Sequence, residues 1–190
     1  MRVSIVVPSL MLALGAAAAA PSQARAQVGL GVGGGFTFPV SSLSTTNKTG
    51  YNVLADLSFR SDSFPLGFRI DGMFNSLPTK ITDARTLQVW TVNANLVANL
   101  VNQQTKPPVV PYLIAGIGWY NDKYRARTIG STVVLSGNTS ENDFGINAGA
   151  GLRIALGSSS LFAEGRYHYV FTPHQRLQMI PVTFGISFGN

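Results

Sequence analysis

Val182-Thr183-Phe184-Gly185-Ile186-Ser187-Phe188 puts four large apolar side chains on one face of an extended chain and Thr183, Gly185 and Ser187 on the other. Successive side chains of a β-strand point to opposite faces, so this stretch reads as a strand with one apolar wall. The same period of two recurs from about Val28 onward, in stretches of roughly ten residues separated by turn formers. Segments of that length and pattern are those of strands that cross a membrane.

The composition agrees. Of 190 residues 12% are charged, about half the roughly 25% of soluble domains, so a water-facing surface would be short of charge. The length suits one domain. The absence of cysteine excludes a disulfide framework and thiolate metal sites. At the N-terminus, Arg2 precedes an apolar run from Ile5 to Ala20, interrupted at Pro8-Ser9, and Ala24-Arg25-Ala26 has the small-x-small pattern of a cleavage site. A membrane anchor would need roughly 20 apolar residues. The expected division is a signal peptide at residues 1–26 and a mature domain at 27–190, which retains 12 of the 14 basic residues against 8 acidic ones. No run of 18 apolar residues follows Gln27, so any membrane crossing after it is by strands.

Eight strands are predicted, over 28–38, 51–60, 66–75, 86–101, 109–120, 143–156, 161–171 and 179–188. The connections at 39–50, 76–85 and 121–142 are long, those at 61–65, 102–108 and 157–160 short, and 172–178 intermediate. Long loops at one end and short turns at the other are the arrangement of outer-membrane barrels, whose long loops face out of the cell.

A soluble lipocalin-like barrel would turn its apolar face inward. The polar face argues against that, because much of it is tiny: Gly29, Gly31, Gly33 and Gly35 on one strand, Gly145, Gly149 and Gly151 on another. Water-facing strands gain nothing from glycine, whereas a narrow eight-stranded interior uses it to make room for long side chains. Those are Asp56, Arg69, Asp71, Arg153, Glu164, Arg166 and His168, a nearly balanced set that can survive burial if paired. A turn at Gly157–Ser160 would set Arg153 opposite Glu164, and one at 61–64 would set Asp56 opposite Arg69. The other face, with Val53, Phe68, Ile70, Trp90, Leu96, Ile117, Leu152 and Tyr167, carries no charged residue in the central strands. Trp119, Tyr167, Tyr169 and Phe171 fall where an outer aromatic girdle belongs.

The leader, the glycine-alternating strand Val28–Pro39, the stretches Pro111–Trp119 and Gly145–Leu156, and Phe162-Ala-Glu-Gly-Arg-Tyr-His-Tyr-Val170 resemble the outer membrane protein β-barrel domain family, the OmpX/OmpA-like group. The resemblance spans the mature chain and implies an all-β fold, an eight-stranded antiparallel up-and-down transmembrane β-barrel in the bacterial outer membrane. Many such barrels end on an aromatic residue; here Phe188 takes that place, with Gly189-Asn190 after it, and the resemblance is to barrel-only members, so no peptidoglycan-binding domain is expected.

Catalysis on such a barrel needs converging groups at the outer rim. Asp83, Asp122, Glu141, Asp143 and His174 form no Asp-x-Asp or Asp-x-His pair, and neither His168 nor His174 begins a His-x-Ser motif. His168 reads as a satisfied lumen histidine rather than a ligand or base. The expectation is a non-enzymatic barrel with a charge-plugged lumen, serving a structural or surface-interaction role through its loops; the alternative is a narrow porin-like channel. No cofactor, metal or nucleic acid is expected, and the barrel is expected to be monomeric, with outer-membrane lipid and lipopolysaccharide around it and a surface partner at its long loops. Lys123, Arg125 and Arg127 alternate at the start of the longest loop. They read either as contacts to lipopolysaccharide phosphate, which Arg binds bidentately, or as a solvated loop.

Overall fold

A computed structural model of the chain describes residues 26–61, 64–80, 85–101, 107–126, 140–172 and 177–189. Residues 1–25 of the expected signal peptide therefore lie outside the described residues. The strands are β1 (Ala26–Pro39), β2 (Gly50–Ser61), β3 (Phe64–Pro78), β4 (Arg85–Asn99), β5 (Val109–Ala126), β6 (Ser140–Leu156), β7 (Ser159–Val170) and β8 (Leu177–Phe188), with a one-turn helix α1 (Leu43–Thr46) between β1 and β2. Each strand pairs antiparallel with the next and β8 pairs with β1, closing the barrel. Closure leaves no strand edge unpaired, which is what hydrocarbon demands of a sheet.

The period of two sorts the side chains as expected. Ile117 is 68% exposed and Phe144 73%, while Arg166 and Asp71 are 1% exposed on the opposite face. Such an apolar exterior would be a liability in water and is the stable arrangement in lipid, so the inverted, lipocalin-like arrangement is ruled out. Aromatic contacts mark the two ends of the apolar band: Phe74 lies 4.7 Å from Trp90 and Tyr169 5.2 Å from Phe171 toward the long loops, and Phe59 6.4 Å from Phe68 toward the short turns.

Two turns depart from expectation, and both move the register. Leu156 pairs with Ser159, so the β6–β7 turn is two residues, Gly157-Ser158, not the four of 157–160. Gly157 has φ +64 at its first position, as a type II′ hairpin turn requires. Ser159 and Ser160 join the strand, so Glu164 faces Gly151 and Arg153 faces Phe162. The expected Arg153–Glu164 cross-strand pair is not formed. On β2–β3, Ser61 does pair with Phe64, but a bulge follows: between that pair and Phe59–Phe68, one residue of β2 opposes three of β3. Asp56 consequently faces Asp71 and Arg69 faces Ser58, which overturns the expected Asp56–Arg69 pair. The longest connection is also narrower than 121–142, because β5 runs on to Ala126 and β6 begins at Ser140.

The lumen is layered. Toward the long loops it is filled by an apolar cluster of Leu43, Leu77, Leu87, Val89, Tyr120, Val170, Leu177 and Met179. Below it lie buried asparagines and charges, and two smaller apolar clusters, Leu54–Met73–Phe162 and Val97–Tyr112–Ile114, line the walls. An eight-stranded barrel has an interior that side chains just fill.

Candidate functional site

Arg69 and Asp71 are two apart on β3 and share its lumen face; Glu164 and Arg166 do the same on β7. In a closed ring of eight strands, β3 and β7 stand on opposite walls, so side chains from the two meet across the diameter. Arg69 Nη2 donates to both oxygens of Glu164, at 2.6 and 2.7 Å. Arg166 donates from Nη1 to Asp71 Oδ1 at 2.8 Å and pairs through Nε with Glu164 Oε1 at 2.9 Å. Arg69 Nε lies 3.6 Å from Asp71 Oδ1, which closes a ring of two guanidiniums and two carboxylates.

The surroundings saturate the carboxylates. Asn93 Nδ2 and Asn95 Nδ2 donate to Asp71 at 2.8 and 2.7 Å, and the Tyr112 hydroxyl donates to Glu164 Oε2 at 2.8 Å. Buried charges persist when they are paired and hydrogen-bonded; here every carboxylate oxygen is bonded, and Arg69 Nε alone of the quartet's fully buried polar atoms has no hydrogen bond. Wall glycines make the space: a methyl on Gly149 would collide first with the Gly165 carbonyl and then with Arg166, and one on Gly151 would enter the Tyr112 ring.

Of the seven residues expected on the lumen face, four form this quartet. The other three are present but apart. Asp56 is buried against Gly31. Arg153 lays its guanidinium 5.2 Å from the Tyr112 ring centroid, a cation–π contact. His168 is fully buried with Nδ1 2.8 Å from the Tyr120 hydroxyl. Sequence reasoning missed Tyr112, Asn93, Asn95 and Arg60, a third buried arginine. The asparagines were legible: Asn93 and Asn95 alternate with Val92, Ala94 and Leu96 on β4.

At the outer end, Lys123 is exposed on the β5 extension and Arg125 continues that strand opposite Thr86. The Arg125 side chain, and Arg127, Asp83 and His174 entirely, lie outside the described residues. Beyond the Trp119–Phe144 row, and so past the membrane-spanning part, Asp122 faces Glu141 directly, with Asp143 next to it. One carboxylate oxygen of each lies within 4.8 Å of the others. Burial and the charge of Glu141 push the Asp122 carboxyl up to about 6. Three carboxylates without a histidine could hold a hard cation through oxygen, but nothing further in their surroundings selects one.

Residues 9–189 match the family model described as the outer membrane protein beta-barrel domain. Among solved structures, the barrel is similar to the Neisserial surface protein A, at a TM-score of 0.65 and 16% identity, over 86% of this chain and 97% of that one. It is also similar to a major outer membrane protein of Thermus thermophilus (TM-score 0.60, 13% identity, 86% and 98% covered) and to the N-terminal β-barrel domain of Pseudomonas aeruginosa OprF (0.52, 12%, 87% and 98%). At these identities the likeness is one of fold. No curated protein sequence matches the chain.

Proposed function

The chain belongs to the outer membrane protein β-barrel domain family, and from that premise we propose that it is a non-enzymatic, closed outer-membrane barrel acting through its extracellular loops. Residues 1–26 act as a cleaved export signal, and residues 27–190 form the barrel as a monomer. The Arg69–Asp71–Glu164–Arg166 ring supports this reading best, since it bridges opposite walls across the lumen. No nucleophile–base pair accompanies it among the described residues: the one buried histidine is bonded to the phenol of Tyr120, itself part of the apolar cluster. Lys123, Arg125 and Arg127 contact phosphate groups of lipopolysaccharide at the outer rim.

Single-channel recording of the refolded mature protein in a planar bilayer tests the plug, once the folded form is verified by its gel shift on boiling. A silent barrel is expected; a steady conductance would overturn the reading. One observation favours the narrow-channel alternative. Both amide atoms of Asn147 and Nε2 of His168, neighbours on β6 and β7, are buried without a hydrogen-bond partner, and polar atoms so placed fit a lumen that admits water.

A further inference from the structure

The mouth of the barrel holds a second closure, built from different chemistry than the charge layer. Between β1 and β2 the chain folds back over the lumen, and α1 drops Leu43 into the apolar cluster, where it is 3% exposed. Serine and threonine shape this segment locally: the Ser44 hydroxyl donates to the Ser41 carbonyl and the Thr45 hydroxyl to the Ser42 carbonyl, both at 2.7 Å. Ser41 sits at φ +54, a left-handed conformation that a non-glycine residue adopts at a cost and keeps only when its surroundings hold it there.

The holding contacts are few and at the rim. Asn47 bridges Thr79, Lys48 N donates to the Pro78 carbonyl and Lys80 N to the Thr46 carbonyl, both at 2.7 Å. The Lys80 ammonium donates to the Ser44 carbonyl at 2.6 Å, fastening α1 from the β3 side. Leu43 and Asn47 are the two side chains this segment buries, with Asn47 Nδ2 donating to the Leu77 carbonyl at 3.3 Å. Segments joined to a fold by a few hydrogen bonds and two buried side chains open at lower free energy than the strands beneath them.

We propose that residues 40–49 form a lid that opens independently of the barrel wall, with Leu43 as its seat and Lys80 as its latch, and that lid and charge quartet close the lumen in series. The lid rests on the local geometry alone; its place in a series rests on the plugged-lumen reading. Two barriers in series mean that opening either one by itself leaves the pore shut.

The chain has no cysteine, so an engineered thiol is unique. Met179 is fully buried in the cluster that receives Leu43. With Met179→Cys in refolded proteoliposomes, a charged, membrane-impermeant thiol reagent added from the loop side should react slowly. Adding Leu43→Ser should raise the rate at least tenfold, and Lys80→Met should raise it severalfold while leaving the cluster intact. Val89→Cys serves as a second reporter if Met179→Cys fails to fold. Equal rates with and without Leu43, whether fast or slow, would overturn the lid. Conductance separates the two ideas: Glu164→Ala combined with Leu43→Ser should conduct where each alone stays silent. Full conductance from Glu164→Ala alone would overturn the series, while a conducting wild type would overturn the plugged-lumen reading and leave the thiol result to decide the lid.

Discussion

Arg69 and Glu164 lie 95 residues apart in sequence and meet at 2.6 Å across the centre of the barrel. The contact ties β3 to β7, strands that share no ladder. With Arg166 and Asp71 it forms a cross-brace that backbone hydrogen bonding, confined to neighbouring strands, cannot supply.

Removing one member should therefore cost more than removing an exposed ion pair. Glu164→Ala would leave Arg69 and Arg166 buried beside a single carboxylate, and breaking a buried pair in this way typically costs about 3–5 kcal/mol. Arg69→Met combined with Glu164→Gln should cost well under the sum of the single changes, because no unpaired charge is stranded. Reversible urea unfolding of the refolded barrel in lipid vesicles measures each variant. A loss below about 1 kcal/mol for Glu164→Ala, the range of exposed pairs, would mean that the quartet is hydrated rather than a brace.

The two faces of the wall should answer differently to the same change. A methyl on Gly151 points into the lumen against Tyr112 and would push its hydroxyl off Glu164, whereas one on Gly165 points toward lipid and meets Val182 Cγ2 at 4.0 Å. Gly151→Ala is expected to destabilise by about 1–3 kcal/mol, the usual cost of overpacking. Gly165→Ala is expected to be neutral or slightly stabilising, since it restricts the unfolded chain without a clash. The comparison reads out in the same unfolding assay, and a reversed order would put the inside of the barrel outside.

The outer hairpin should be more stable in acid. Asp122 faces Glu141, and its carboxyl is raised to about 6 by burial and then by that charge. A carboxyl raised on folding contributes stability that is complete below the unfolded value of 3.8 and is lost as pH rises through about 6. Amide protons in residues 121–126 and 140–143 should thus exchange more slowly at pH 5 than at pH 7, after correction for intrinsic rates. Asp122→Asn should flatten that dependence; if the wild-type hairpin shows none, the two carboxylates do not repel as placed.

Alternation made the wall readable. Val182–Phe188 and its counterparts told inside from outside because hydrocarbon tolerates no charge and a narrow lumen needs glycine. Register was harder, because it depends on turns rather than faces. Gly157–Ser160 offered four turn formers, and two of them became strand; the β2–β3 bulge left no composition signal at all. Each shifted pairing by two residues, which keeps every side chain on its face and so escapes any test based on alternation. The apolar mouth was missed for a related reason. Leu77, Leu87, Leu177 and Met179 sit at strand ends, where the inward face turns from polar to apolar, and only the packing of Leu43 among them shows that they form one cluster.

Tyr112 joins two features that the sequence left apart. Its hydroxyl donates to Glu164 at 2.8 Å while its ring carries Arg153 at 5.2 Å. Tyr112→Phe keeps the ring and removes the donor, so it should lose the hydrogen bond to a charged acceptor, about 1.5–3 kcal/mol, and preserve the arginine contact. Tyr112→Leu removes both and should cost more. In a double-mutant cycle, the effect of Tyr112→Phe should shrink in a Glu164→Gln background, where the acceptor is neutral, and stay unchanged in an Arg153→Met background. Coupling to Arg153 instead of Glu164 would mean that the ring, not the hydroxyl, is what this tyrosine contributes to the lumen network.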